Sequence, residues 1–190
     1  QVQALLKKAA TLDIQTICPL HGPVLKENLG YYIGKYLTWS SYEPEEEGVV
    51  VAYASIHGNT GKAAARMAEI LKENGAENVK VFDLARDDMA EAISSAFRYS
   101  RLIVMGVTYD GNLFPCMEDF LYHLKIKTYK KRKVGIVENG SWAPMAGKLM
   151  KAYFEGMKDI EICEPVVTIK SVMKDADEEN MKTLAKAVLA

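Results

Sequence analysis

A short hydroxyl- and glycine-rich segment, Ser55-Ile56-His57-Gly58-Asn59-Thr60, carries the strongest chemical signal in this sequence. An apolar strand pattern ends where the segment begins, and a helical pattern starts at about Gly61. Such a turn can aim several backbone N–H groups at one point in front of a helix, where unpaired amides and the helix dipole both favour an anion. Ser55 and Thr60 can each add a hydroxyl donor, and bonds to a charged acceptor contribute about 1.5–3 kcal/mol each. The segment therefore predicts a phosphate-binding loop.

This loop fits neither of the two common phosphate-binding motifs. A Walker A loop needs Ser or Thr after its Gly-Lys pair, whereas Gly61-Lys62 is followed by Ala63, and the Gly-x-Gly-x-x-Gly pattern of dinucleotide folds does not occur. Asn and Thr are also good N-cap residues. A well-capped strand–helix turn that binds nothing therefore stays open as the alternative.

Length and composition limit the classes of protein that need to be considered. The chain has 190 residues and a net charge of −1, which suits one domain with an appendage and gives no case for nucleic acid as the main partner. The cysteines Cys18, Cys116 and Cys163 form neither a metal-binding spacing nor a disulfide framework. No signal peptide and no membrane-spanning apolar run is present. We expect a cytoplasmic protein with no membrane partner and no metal site of its own.

From residue 49 onward, strand and helix patterns alternate. The predicted strands are Val49–Ala54, Val79–Leu84, Leu102–Thr108, Lys133–Glu138 and Glu164–Lys170. The first and third are nearly continuous apolar runs, as expected of strands buried on both faces. Strict alternation predicts an α/β fold with a doubly wound, five-stranded parallel sheet between two layers of helices. Ligands of such folds bind beyond the carboxyl ends of the strands.

The first 48 residues do not follow this alternation. Residues 3–11 fit the end of a helix, a compact turn lies at Cys18-Pro19-Leu20-His21-Gly22-Pro23, and a second helical face follows from Leu29. The glutamate-rich stretch Tyr42–Gly48 is typical of a solvated linker. We therefore predict a boundary between residues 1–48 and a domain at 49–190.

Two further loops are expected at the same edge of the sheet. The third strand leads into Thr108-Tyr109-Asp110-Gly111-Asn112-Leu113-Phe114-Pro115, where Asp-Gly-Asn predicts a turn and Pro115 suits the first turn of a helix. The fourth leads into Glu138-Asn139-Gly140-Ser141-Trp142-Ala143-Pro144. Tyr109 and Trp142 offer flat surfaces for stacking. One phosphate loop and two aromatic-bearing loops together favour a phosphorylated aromatic ligand, although each aromatic taken singly fits ordinary loop packing.

The three loops together resemble those of the flavodoxin family, and most closely the flavodoxin-like domain of flavodiiron proteins (A-type flavoproteins). The resemblance rests on the first loop at Ser55–Thr60, on Thr108–Pro115 and on Trp142, and it covers about residues 49–190. Residues 1–48 look like the end of that family's β-lactamase-like diiron domain, because Cys18–Pro23 matches the segment with its last iron-binding histidine, here His21. The resemblance implies the strand order 2-1-3-4-5 and FMN as cofactor.

This resemblance also implies a set of contacts. Ser55, Thr60 and the amides of Ile56, His57, Gly58 and Asn59 would hold the phosphate. Backbone groups of Thr108, Tyr109, Asp110 and Gly111 would meet the isoalloxazine edge, with Gly111 at positive φ. The third loop would contribute Asn139, Gly140, Ser141, Trp142 and Ala143, with Tyr109 and Trp142 stacking on the ring.

Three departures from the family pattern stand out. Glu138 and Asn139 replace the Ser/Gly-rich stretch that more often precedes the tryptophan, and Val107 takes a place often held by proline. The His-x-Glu-x-Asp-His cluster that supplies most iron ligands in the family does not occur. We therefore expect no catalytic residue and no metal site in this chain, and expect His21 to bind iron only in a longer polypeptide.

The predicted function is that of an FMN-binding electron-transfer module of a flavodiiron-type oxygen or nitric oxide reductase. The resemblance implies a rubredoxin-like or flavin reductase donor, the diiron domain of a parent protein, and a homodimer. Two alternatives remain open from the sequence. A free-standing flavin quinone reductase leaves residues 1–48 unexplained, and a signalling receiver needs an acidic cluster where this chain has Ser55 and His57.

Overall fold

A parallel β-sheet forms the centre of the molecule, and helices cover both of its faces. The computed structural model describes residues 1–190. The strands are β1 (Glu46–Tyr53), β2 (Val79–Asp83), β3 (Tyr99–Tyr109), β4 (Asn112–Leu113), β5 (Arg132–Asn139), β6 (Ile160–Ile162) and β7 (Val167–Ile169). The helices are α1 (Val2–Ala9), α2 (Leu29–Ser41), α3 (Asn59–Glu73), α4 (Met89–Arg98), α5 (Pro115–Ile126), α6 (Ala146–Glu155) and α7 (Asp175–Leu189). None of these helices is both long enough and apolar enough to cross a membrane.

The order of the strands confirms the predicted topology. The parallel strands run β2-β1-β3-β5, and β6 and β7 both pair with β5 at the far edge. The predicted fifth strand, Glu164–Lys170, contains β7, whereas β6 lies before it and was not predicted; a segment that contains Pro165 separates the two short strands. Proline has no N–H to donate to a ladder, so the pairing is interrupted there. The sequence also did not predict β4, which pairs antiparallel with β3.

Side chains from alternate positions of the strands feed two separate cores. Val49 and Val51 of β1 pack with α3 and α7 on one face, and Val50 and Ala52 pack with α4, α5 and α6 on the other. Each of these four side chains is fully buried. Burial on both faces explains why β1 is a continuous apolar run instead of an alternating pattern.

The acidic stretch predicted as a linker is partly incorporated into the sheet. β1 begins at Glu46, three residues before the predicted start, and Glu46 is in register with Tyr99. Glu46 pairs with Arg98 and Glu47 with Arg101. Hydrogen bonds from Ser100 and Arg101 lower the pKa of Glu47. The predicted solvated linker is therefore wrong at its last residues, because ion pairs with β3 and its preceding helix hold them in place.

A buried arginine connects the end of α2 to the sheet. Arg132, at the start of β5, is only 4% exposed. Its guanidinium donates to main-chain carbonyl oxygens of Tyr42, Phe97, Tyr99, Lys130 and Lys131. Burial lowers the pKa of Arg132. Because Tyr42 directly follows α2, this group joins the N-terminal helices to the amino end of the strands.

The N-terminal helices α1 and α2 contribute no buried residue to either core. They instead carry large exposed apolar side chains, among them Leu5, Tyr31 and Trp39, each more than half exposed. Residues 1–45 therefore add little to the cores that stabilise the sheet.

One buried hydroxyl group generates a stability prediction. Tyr129 is 1% exposed, its ring meets Phe97 edge-on, and its hydroxyl has no hydrogen-bond partner in the chain. Burial raises the pKa of Tyr129. A buried hydroxyl without a partner costs free energy. We expect Tyr129→Phe to leave the free energy of unfolding unchanged or to raise it by about 1 kcal/mol, as measured by urea denaturation.

Tyr153→Phe is the matched control, because the Tyr153 hydroxyl lies 3.5 Å from Glu118 and does have a partner. That variant should be neutral or slightly less stable. A loss of more than about 1 kcal/mol in Tyr129→Phe would show that its hydroxyl is satisfied in solution.

Candidate functional site

The loop between β1 and α3 forms an open set of donors at a helix N-terminus. Ser55 and Thr60 are buried, at 6% and 3% exposure, while His57 and Gly58 lie on the surface. Gly58 is the N-cap of α3 with φ of +89°, a conformation that glycine adopts at little cost. Its N–H donates to Ser55 Oγ at 3.1 Å, which closes the turn.

The remaining amides of this loop are not used by the protein. No protein group accepts from the N–H of Ser55, Ile56, His57, Asn59, Thr60 or Gly61. The helix also has no side-chain cap. Backbone donors that converge on the positive end of a helix, beside two buried hydroxyl groups, suit a phosphate. The donor set therefore fits the group that the sequence predicts.

At the N-terminus of α6, which lies at the same edge of the sheet, the amides already have acceptors within the protein. Thr108 Oγ1 accepts from the N–H groups of Met145 and Ala146, at 2.9 and 3.1 Å. Glu138 Oε2 accepts from the N–H of Gly147 at 2.7 Å. The protein itself therefore satisfies the first amides of α6, so α3 is the helix that offers donors to a ligand.

The second predicted loop is a tight hairpin. Thr108 pairs with Leu113 and Tyr109 with Asn112, which leaves Asp110 and Gly111 at the turn with φ of +49° and +72°. Positive φ at both central positions is the signature of a type I′ turn. The predicted positive φ of Gly111 is confirmed, as is Pro115 at the start of α5.

The side chains of Tyr109 and Thr108, both in this hairpin, differ in whether they remain open to a ligand. The Tyr109 ring is 43% exposed and meets Phe114 edge-on, with 5.4 Å between ring centroids. Its position leaves part of the ring open at the edge of the sheet. The Thr108 hydroxyl oxygen accepts from two amides at the start of α6, so its acceptor capacity is used within the protein.

The third loop divides into a buried base and an exposed rim. Asn139 is 4% exposed, and its side-chain amide exchanges two hydrogen bonds with the backbone of Ser171, at 2.9 and 3.0 Å. Gly140 is also buried and donates to the carbonyl of Ile169. Ser141, Trp142 and Ala143 lie outside, and Trp142 is 91% exposed. An aromatic surface of that size is thus presented at the carboxyl edge without a partner in the chain.

Sequence reasoning missed Ser171, in the turn between β7 and α7. Ser171 has φ of +66° and holds Asn139 through its backbone, while its Oγ accepts from Asn59 Nδ2 at 3.4 Å. It therefore links the first loop to the third. Its position after the last strand is the only signal in the sequence, because Ser in a loop is otherwise unremarkable.

No histidine belongs to a cluster of metal-ligating side chains, and His123 has only Asp119 beside it, at 3.5 Å. His21 is exposed, in the turn that precedes α2, and His57 is exposed on the first loop. No group of three or more His, Cys, Asp or Glu side chains is arranged to hold a metal ion. Two clefts, of about 350 and 330 Å³, lie around Trp39 and Tyr42 at the N-terminal helices.

The fold and the loop arrangement define the class of protein: this is a flavodoxin-like α/β fold. A solved flavodoxin from the domain Archaea superposes with a TM-score of 0.63 at 18% identity, over 74% of this chain and 94% of that one. Rubredoxin oxygen:oxidoreductase from Desulfovibrio gigas superposes with a TM-score of 0.90 at 21% identity, over 98% of this chain and 47% of that one. No protein-family model matches the chain.

Curated relatives of this chain include a nitric oxide reductase and anaerobic nitric oxide reductase flavorubredoxins, and the resemblance to flavodiiron proteins that the sequence indicates is confirmed. Nitric oxide reductase from Moorella thermoacetica is 26% identical over 180 residues, which is 94% of this chain and 44% of that protein. The chain spans under half the length of the curated relatives it matches.

The capping role of Thr108 gives a prediction that needs no ligand. Thr108→Val removes the acceptor for two amides of α6 at nearly constant volume. We expect a loss of about 1–2 kcal/mol in the free energy of unfolding, as for other helix N-caps, measured by chemical denaturation.

Thr108→Ser keeps the hydroxyl and is the control, with a clearly smaller expected loss. Equal losses in the two variants would mean that the methyl group, and not the hydroxyl, is what stabilises this position.

Proposed function

We propose that residues 49–190 bind FMN and transfer electrons within a flavodiiron-type oxygen or nitric oxide reductase. The observation that carries the proposal is the set of unused amides at the start of α3, flanked by the buried hydroxyls of Ser55 and Thr60. Curated relatives named nitric oxide reductase and anaerobic nitric oxide reductase flavorubredoxin support a redox role.

The FMN phosphate would lie at the N-terminus of α3. The unpaired amides of Ile56, His57, Asn59 and Thr60 would supply main-chain donors, and Ser55 and Thr60 would supply hydroxyls. This arrangement neutralises a dianionic group without a lysine or arginine, because the donors and the helix dipole act together.

The ring would lie between the second and third loops. Tyr109 and Trp142 are its stacking candidates, being 43% and 91% exposed at the same edge of the sheet. Backbone groups of Tyr109, Asp110 and Gly111 would face its edge, together with the main chain of Gly140, Ser141 and Ala143. The side chain of Asn139 would not contact the ring itself. It would fix the base of the third loop through its hydrogen bonds to Ser171.

FMN, when bound, would supply the electron-transfer chemistry, whereas the protein controls its orientation and exposure. The residues at this edge would serve binding and positioning. The proposal therefore assigns no catalytic residue to this chain.

Residues 1–48 are proposed to be the end of a diiron domain in a longer polypeptide. Two observations support this: α1 and α2 bury no residue, and their large apolar side chains are exposed. Such a surface is expected where further protein packs. The diiron domain would be the electron acceptor, a rubredoxin-like protein or a flavin reductase the donor, and a homodimer the proposed assembly.

The experiment that tests the proposal compares binding of FMN and riboflavin to the purified chain. Visible absorption and fluorescence titration should show FMN bound more tightly than riboflavin, because only FMN carries the phosphate. Thr60→Val removes one phosphate donor, so FMN affinity should fall about ten-fold or more while riboflavin affinity changes less than about two-fold.

Thr183→Val is the matched control, since the Thr183 hydroxyl bonds to a carbonyl on the exposed side of α7. This variant should bind both ligands as the parent does. Folded protein that binds neither ligand would refute the proposal, and equal losses for the two ligands in Thr60→Val would remove the phosphate from this loop.

A further inference from the structure

Glu138 is a buried carboxylate whose partners are all neutral. It ends the apolar run of β5 and is 9% exposed. Its Oε2 accepts from the N–H of Gly147 at 2.7 Å, and its Oε1 accepts from the hydroxyl of Thr168 at 2.7 Å. Neither donor is a cation. A buried charge without a counter-ion is costly, so its retention calls for an explanation.

The surroundings of Glu138 are shaped to hold this carboxylate. Gly147 lies in the first turn of α6, and a Cβ there would come within 2.9 Å of Glu138 Cδ. The amide end of α6, which could otherwise favour a negative charge on a ligand, is directed at Glu138 and Thr108. The fold therefore places a fixed acidic group where a helix would otherwise offer positive potential.

Glu138 also lies next to the predicted ring site. The third loop, residues 139–143, follows it directly, and Thr168 stands opposite it in register on β7. Charges in a partly buried environment interact more strongly than in water. A flavin ring on this loop would therefore sense the Glu138 carboxylate.

We propose that Glu138 lowers the reduction potential of the flavin bound by this chain; this rests on the proposed FMN site. When an external reductant such as dithionite delivers two electrons to the ring and water delivers one proton, the ring gains a net negative charge. The fixed carboxylate opposes that charge. Glu138 is thus a positioning residue. It orients the start of α6 through its hydrogen bond to Gly147, and the electrostatic field of its carboxylate changes the reduction potential of the ring.

Glu138→Gln tests this, since the amide keeps an acceptor for the Gly147 N–H but carries no charge. We expect oxidised FMN to bind about as in the parent. The ratio of affinities for reduced and oxidised FMN should rise about ten-fold, which for a two-electron couple is a rise of about 30 mV in midpoint potential. Anaerobic spectroelectrochemical titration measures the potential, and fluorescence titration measures the affinity.

A second variant leaves Glu138 in place. Thr168 is exposed, so Thr168→Lys can set an ammonium group beside the same carboxylate and should raise the potential in the same direction. Glu161→Gln is the control, because Glu161 is exposed and in register with Lys133, at the opposite end of β5. Removal of the Glu161 charge should leave the midpoint potential of the bound flavin unchanged.

The outcomes separate this inference from the proposed function. If the parent binds FMN and neither Glu138→Gln nor Thr168→Lys raises the potential, the inference is wrong and the FMN site stands. If Glu161→Gln raises it equally, the effect is one of net charge and the inference is also wrong. If the parent does not bind FMN, both fail together.

Discussion

Backbone N–H groups at the start of a helix need an acceptor, and this requirement organises the carboxyl edge of the sheet. At α6 the protein supplies the acceptors, through Thr108 and Glu138. At α3 it supplies none beyond the turn bond between Gly58 and Ser55. Two helices that begin at the same edge thus differ in whether the amides at their N-termini already have acceptors, and this difference singles out the start of α3 as a ligand site.

The loops at this edge are also fixed to one another. Asn139 is hydrogen-bonded to the backbone of Ser171, and the Ser171 hydroxyl accepts from the Asn59 side chain. Thr108 connects the hairpin of the second loop to the start of α6. None of these residues comes from the same loop as its partner. A ligand that touched any one loop would therefore meet a surface whose neighbours are already ordered, which reduces the conformational entropy lost on binding.

Much of the fold could be predicted because it depends on patterns that sequence displays directly. The apolar run of β1, the positive φ at Gly111 and the proline at the start of α5 follow from residue type and periodicity. The short strand β6 was missed because its three residues, Ile160–Ile162, are too few to show a clear strand pattern. The side-chain uses of Thr108 and Asn139 were beyond the sequence, because a polar residue at a strand end looks the same whether it bonds to protein or to ligand. The partners that decide the matter, Met145 and Ser171, are more than 30 positions away along the chain.

The hydrogen bonds of Arg132, which join the N-terminal helices to the sheet, have a consequence for which positions can change in sequence. Every acceptor of its guanidinium is a main-chain oxygen, from Tyr42, Phe97, Tyr99, Lys130 and Lys131. Because every residue type carries that oxygen, a change of side chain at any of these five positions leaves its hydrogen bond to Arg132 possible. The hydrogen bonds of this connection thus require one particular side chain, that of Arg132, and make no demand on the side chains of the five accepting positions.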